Sequence, residues 1–161
     1  MARAPDRLTA PAGYRELVAE GVLLAGGARA LLLQLAHPAI ARGVAEHSGF
    51  AADPTRRLLG TLTYLYALAF GTEEEAARAV REVGRAHRGV ASATEPDAYS
   101  ARDPGLQLWV TATLYDTTVQ VAELTWGPLE PAVADEVYRE SARIGTALGM
   151  PTGEWPADRE A

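Results

Sequence analysis

The chain has 161 residues, no cysteine, no lysine and a formal net charge of −6, a length that suits one domain. Without thiols it forms no disulfide, thiolate zinc site, iron–sulfur cluster or cysteine nucleophile, and without lysine it has no Schiff-base chemistry and no phosphate-loop lysine. The acidic balance and the lack of a basic run argue against nucleic acid and anionic membrane as partners.

The N-terminus carries Arg3, Asp6, Arg7, Arg15, Glu16 and Glu20. It is too charged for the apolar stretch of a signal peptide, so a cytoplasmic protein is expected. The run from Val22 to Ala41 approaches membrane-span length but contains Gly26, Gly27, Arg29, Gln34, His37 and Pro38. It reads as a core helix pair broken at His37-Pro38, not as a membrane span. The His37 imidazole is expected to bond the backbone freed at that break.

Punctuation marks the helices. Asp53-Pro54 pairs an N-cap with a first-turn proline, and Gly71 closes that helix. Thr72 followed three residues later by Glu75 is a capping box. Asp103-Pro104 and Glu130-Pro131 repeat the cap-plus-proline device, and Gly149 with Pro151 ends the last helix. Between these marks the apolar period is helical and no sustained alternation appears. The spacing predicts helices near 12–25, 27–36, 38–47, 54–70, 73–90, 104–125 and 131–148. The fold class is therefore all-α, a single domain of six or seven helices over residues 1–156, with a polar, fraying tail over 157–161. The longest irregular connection runs from Ala91 to Arg102.

Three helices carry candidate chemistry. On helix 73–90, Ala76, Ala77, Val80, Val83, Gly84, His87 and Val90 form one stripe, while Arg78, Arg81, Glu82, Arg85 and Arg88 take the other sides. His87 thus faces inward among small residues that leave room for a flat ligand. A core histidine bonded to a carbonyl is the alternative. On helix 54–70, Arg57, Thr61 and Tyr64 or Leu65 share a face. An inward arginine needs an anion, either a carboxylate of this chain or a cofactor propionate, unless it snorkels outward. Helix 104–125 is apolar nearly all round. Its threonines can bond carbonyls one turn back, and Asp116 is a candidate partner for a buried arginine. No two histidines stand at helical metal-site spacing. His47 and His37 therefore belong to no local metal-site motif.

The run from Gly26 through Arg29, Gln34 and His37 to Pro38 resembles the opening of the latex-clearing protein (rubber oxygenase) and MpaB oxygenase family. So do Gly43 to Ser48, Ala69-Phe70-Gly71, Tyr99 to Pro104, Leu106 to Val110 and Gly127-Pro128-Leu129, in that order, from about Gly13 to Pro156. The resemblance implies an all-α fold around b-type haem, with dioxygen as co-substrate and cleavage of an alkene bond in an apolar isoprenoid substrate. His87 matches the proximal haem ligand and is the metal-binding candidate. Arg57 and Thr61 match an arginine–threonine pair beside the haem, where Thr61 is expected to donate a hydrogen bond, and Glu46 is the candidate for a catalytic glutamate. Two positions depart from the family pattern: Gly60 stands where a distal lysine is expected, and Thr111 where many relatives have a histidine. The domain is also short at its C-terminus by comparison with the family. That implies a fragment, a shortened paralogue or a chain completed as a homo-oligomer, with apolar surface exposed on helices 104–125 and 131–148. A haem-binding member without catalysis and a plain helical interaction domain remain as alternatives.

Overall fold

A computed structural model describes residues 9–47, 53–94 and 98–160. Arg3, Asp6, Arg7, Ser48 and the centre of the 91–102 connection lie outside the described residues. The architecture is all-α: α1 Tyr14–Ala19, a 3₁₀ segment Gly21–Gly26, α2 Gly27–Leu35, α3 Pro38–His47, α4 Pro54–Phe70, α5 Glu73–His87, α6 Pro104–Trp126 and α7 Pro131–Thr146. A 3₁₀ turn at Thr152–Glu154 follows.

The local signals at α4, α5 and α6 act as expected. Asp53 accepts from the Arg56 N–H at 2.9 Å and Asp103 from the Leu106 N–H at 3.0 Å, each ahead of a first-turn proline. Thr72 and Glu75 form the reciprocal capping box. Four expectations need correction. The helix expected over 12–25 breaks at Glu20, whose extended backbone (φ −73°, ψ 121°) separates α1 from the 3₁₀ segment. Glu130 precedes α7 but its side chain makes no capping bond, so proline alone marks that start. The connection after α5 is not wholly irregular: β1 (Ala91–Ser92) pairs antiparallel with β2 (Tyr99–Ser100). The tail does not simply fray, since Arg159 Nε meets Asp135 Oδ1 at 2.7 Å and the Pro156 carbonyl accepts from Tyr138.

The central helix is α6, which packs on α7, α2 and the 3₁₀ segment. Four of its five threonines are satisfied within the helix, and the fifth, Thr117, accepts from Arg29 Nη1 at 2.9 Å. Thr111, Thr113, Thr118 and Thr125 each donate to a carbonyl three or four residues back, at 2.7–2.9 Å. One core joins α1, α6 and α7 through Tyr14, Leu17, Ala122, Val133 and Val137. Leu17 and Val137 are fully enclosed, and each such side chain contributes roughly 1.5–3 kcal/mol. A second core joins α4 and α5 through Tyr64, Leu68 and Ala79, with Ile144 and Leu148 packed against it. Tyr64 ties α4 to α7 by donating to the Ile144 carbonyl at 2.7 Å, and burial pushes its phenol well above the ordinary tyrosine range.

Among the described residues no single helix is long and apolar enough to cross a membrane, and the apolar run read as a helix pair bends by 109° between Leu35 and Pro38. Close approach sets the entrance to that pair. A Cβ on Gly26 would lie 2.6 Å from Thr117 Cγ2 and 2.9 Å from Val121 Cγ2, so only glycine lets this segment rest on α6.

Candidate active site

A cavity of about 580 Å³ opens beside the second core, which supplies Tyr64 and Ala79 to its wall. α4 contributes Arg57, Thr61, Tyr64 and Leu65 to its wall, the face expected from their spacing, together with Gly60. α5 contributes Ala79, Glu82, Val83, Ala86 and His87. Glu82, read from sequence as lying on another side, therefore belongs to the wall. α6 adds Gln107, Val110, Thr111 and Leu114, and α3 adds Gly43, Val44 and His47. Volume and lining fall in the range of small-molecule sites, mostly apolar with a few convergent polar groups.

His87 is the last residue of α5 and is half-buried, less enclosed than its stripe suggested. Burial lowers its pKa below the ordinary histidine value, and the Arg57 guanidinium lowers it further. The imidazole is thus held neutral, the form that ligates a metal. Arg57 is also half-buried, and desolvation pulls its pKa down. Among the described residues no carboxylate pairs with it. The carboxylate proposed from sequence for a buried arginine, Asp116, instead meets the half-exposed Arg29 at 2.6 Å. Neighbouring Arg56 is exposed beside Asp53, so of the two arginines Arg57 takes the inward place.

Thr61 borders the cavity, but its hydroxyl donates to the Arg57 carbonyl at 3.1 Å. Its one proton is committed to the helix, so in this arrangement Thr61 offers a ligand lone pairs, not the expected donor. Gly60 faces open space: an added Cβ would meet nothing within 4 Å. Thr111 is 1% exposed and bonded to the Gln107 carbonyl, so no free polar group takes the place of the family's histidine. Glu46 does not border the cavity; its side chain is 52% exposed and accepts from Tyr99 Oη at 2.6 Å. His37 also lies outside the wall. Its Nδ1 is buried without a hydrogen bond among the described residues, and its ring edges against Trp109 at 5.8 Å. The expected bond to freed backbone is therefore not made.

Sequence reasoning gave no place in the wall to several polar residues, among them Gln34, Tyr99 and His47. Gln34, 8% exposed, has a carboxamide with no partner among the described residues. It borders both the main cavity and a smaller one of about 200 Å³, as do Arg57 and Thr61. Tyr99 is buried, His47 is exposed with its side chain 30% accessible, and both line the main cavity. The signal for His47 was Gly43 one turn earlier on the same face. A Cβ there would come within 3.3 Å of the Tyr99 ring, so the glycine seats Tyr99 beside α3.

No group of three or more histidine, cysteine or acidic residues is gathered for a metal ion among the described residues. An iron tetrapyrrole asks less, one axial imidazole, plus cations for its propionates and an apolar slot. The neutral imidazole of His87, the uncompensated Arg57, the small side chains of α5 and the open space at Gly60 fit such a group.

Among the described residues, helices α2 to α7 and the connection after α5 line this apolar cavity, which includes the held-neutral His87, within an all-α domain. A family model described as ER-bound oxygenase mpaB/B'/rubber oxygenase, catalytic domain, matches residues 14–161, and the chain belongs to that family. Two uncharacterized proteins, from Mycobacterium bovis and Mycobacterium tuberculosis, are each 43% identical to it over 136 residues. The match covers 81% of this chain and 53% of each relative, so the chain spans about half the length of the curated relatives it matches. No solved structure matches it significantly.

Proposed function

We propose that this domain is a b-type haem-dependent oxygenase that acts with dioxygen on an apolar, alkene-containing substrate. The observation that supports this reading best is the pairing, in one apolar cavity, of a histidine held neutral with an arginine that lacks an anion. Each residue is costly to the empty protein, and each suits one part of the same ligand. His87 would hold the iron, and Arg57 would offset a propionate. Haem, when bound, supplies an iron centre at which dioxygen reacts. The apolar side chains of α4 and α6 exclude water and favour a greasy substrate. Gln34 and Thr61 orient whatever polar group reaches the wall shared with the smaller cavity.

The test is an absorption spectrum of purified protein reconstituted with haemin. A Soret band that His87→Ala abolishes, with helical circular dichroism unchanged, supports the reading. Full haem occupancy in that variant overturns it. Turnover of an alkene under oxygen then separates an oxygenase from a haem-binding member without catalysis.

A further inference from the structure

Away from His87, three side chains form a continuous hydrogen-bonded chain at the cavity wall. Tyr99 Oη donates to Glu46 Oε2 at 2.6 Å and lies 3.1 Å from His47 Nε2. His47 and Tyr99 border the cavity; both His47 and Glu46 also reach the surface, with side chains 30% and 52% accessible, and His47 Nε2 lies 3.8 Å from Glu46 Oε2. The hydrogen-bonding inventory orients the chain. A phenol has one proton, and here the Glu46 carboxylate, which only accepts, takes it. The contact to His47 can then be a hydrogen bond only if Nε2 carries the proton and Tyr99 Oη accepts. The neutral imidazole is thereby fixed as the Nε2–H tautomer, with Nδ1 left as the acceptor. The bond to Glu46 raises the Tyr99 pKa, keeping the phenol protonated; Arg42, the cation facing it, acts in the opposite sense.

We propose that Glu46, Tyr99 and His47 form a proton-conducting chain between the main cavity and solvent. A proton taken up on His47 Nδ1 makes an imidazolium. Its Nε2 proton passes to Tyr99 Oη as the phenolic proton passes to Glu46, which releases it to water. One proton enters, one leaves, and no electrons change hands. Run backward from that end state, the same chain delivers a proton to the cavity. Glu46, expected from family resemblance to be catalytic, thus acts through two other residues and is a positioning residue. The chain is built from protein groups alone and stands whether or not the cavity holds haem.

The test uses the full chain without haem, labelled with ¹⁵N, and reads the His47 ring by long-range ¹H–¹⁵N correlation and saturation transfer from water. The expected result is an Nε2–H tautomer whose ring proton exchanges at least about tenfold more slowly in Glu46→Gln. Glutamine keeps an oxygen that accepts from Tyr99, so the tether survives while the proton acceptor is lost. Tyr99→Phe should also abolish the tautomer preference. An Nδ1–H tautomer overturns the proposal, as does exchange unaffected by Glu46→Gln or too fast to detect in the wild type. If Tyr99→Phe unfolds, the Glu46→Gln comparison decides alone.

Discussion

The guanidinium of Arg57 on α4 and the imidazole of His87 on α5 face the same cavity, and the cation adds to burial in pushing the His87 pKa down. This coupling sets a pH dependence with a definite sign. In the unfolded chain His87 titrates near the ordinary value of 6.5, while in the folded chain it resists protonation until lower pH. Between those two values the unfolded state binds more protons, so acidification favours unfolding. The contribution of His87 to stability is full above about pH 6.5 and is lost as pH falls through the folded value, by at most about 1.4 kcal/mol per pH unit in the window. Urea midpoints for wild type and His87→Phe at pH 7.5 and 5.5 measure it. The variant should lose part of the acid sensitivity; identical slopes would show that other groups cause it.

Arg57 should trade stability for ligand retention. Replacing a half-buried, uncompensated cation with an apolar side chain of similar length removes its desolvation cost. Arg57→Met should therefore stabilise the ligand-free protein by about 1 kcal/mol or more and weaken haem retention. Denaturant melts and haem transfer to apomyoglobin read the two effects separately. A variant less stable without ligand would mean that Arg57 has a stabilising partner.

Gly60 leaves the α4 wall open where a lysine would stand. Nothing lies within 4 Å of a Cβ at this position, so Gly60→Lys should fold, with a helix-propensity gain of up to about 1 kcal/mol. In haem-loaded protein the new ammonium group should shift the ferric spectrum toward a six-coordinate form at high pH, where the amine is free to ligate. A spectrum unchanged across pH would place Gly60 away from the iron.

Gly26 tests the packing of the N-terminal segment. Gly26→Ala drives a methyl against Thr117 Cγ2 and Val121 Cγ2, two stiff β-branched side chains on the central helix. The expected loss is about 1–3 kcal/mol, seen as a lower thermal midpoint. Gly27, where an added Cβ meets nothing within 4 Å, is the control, and Gly27→Ala should cost far less.

Helix starts and face assignments were readable along the chain because their causes are local. The Thr72–Glu75 box and the aspartate–proline pairs at 53–54 and 103–104 act within one turn. Likewise Arg57, Thr61 and Tyr64 share a face through helical period alone. The interruption at Glu20 and the idle Glu130 side chain escaped, because sequence marks where a helix can start or stop without saying which signal is used. The cavity wall depended on contacts between distant segments. Tyr99 reaches Glu46 across 53 positions and His47 across 52, and no period or motif links residues that far apart. The same holds for Asp116, whose partner is Arg29 and not Arg57, and for Gln34, an ordinary helical residue along the chain that the fold buries to 8% exposure at the wall of both cavities. Local propensity and capping specify where the helices run. Which polar groups are left facing one another inside is set by how those helices pack, because burial and pairing exist only once the chain has folded.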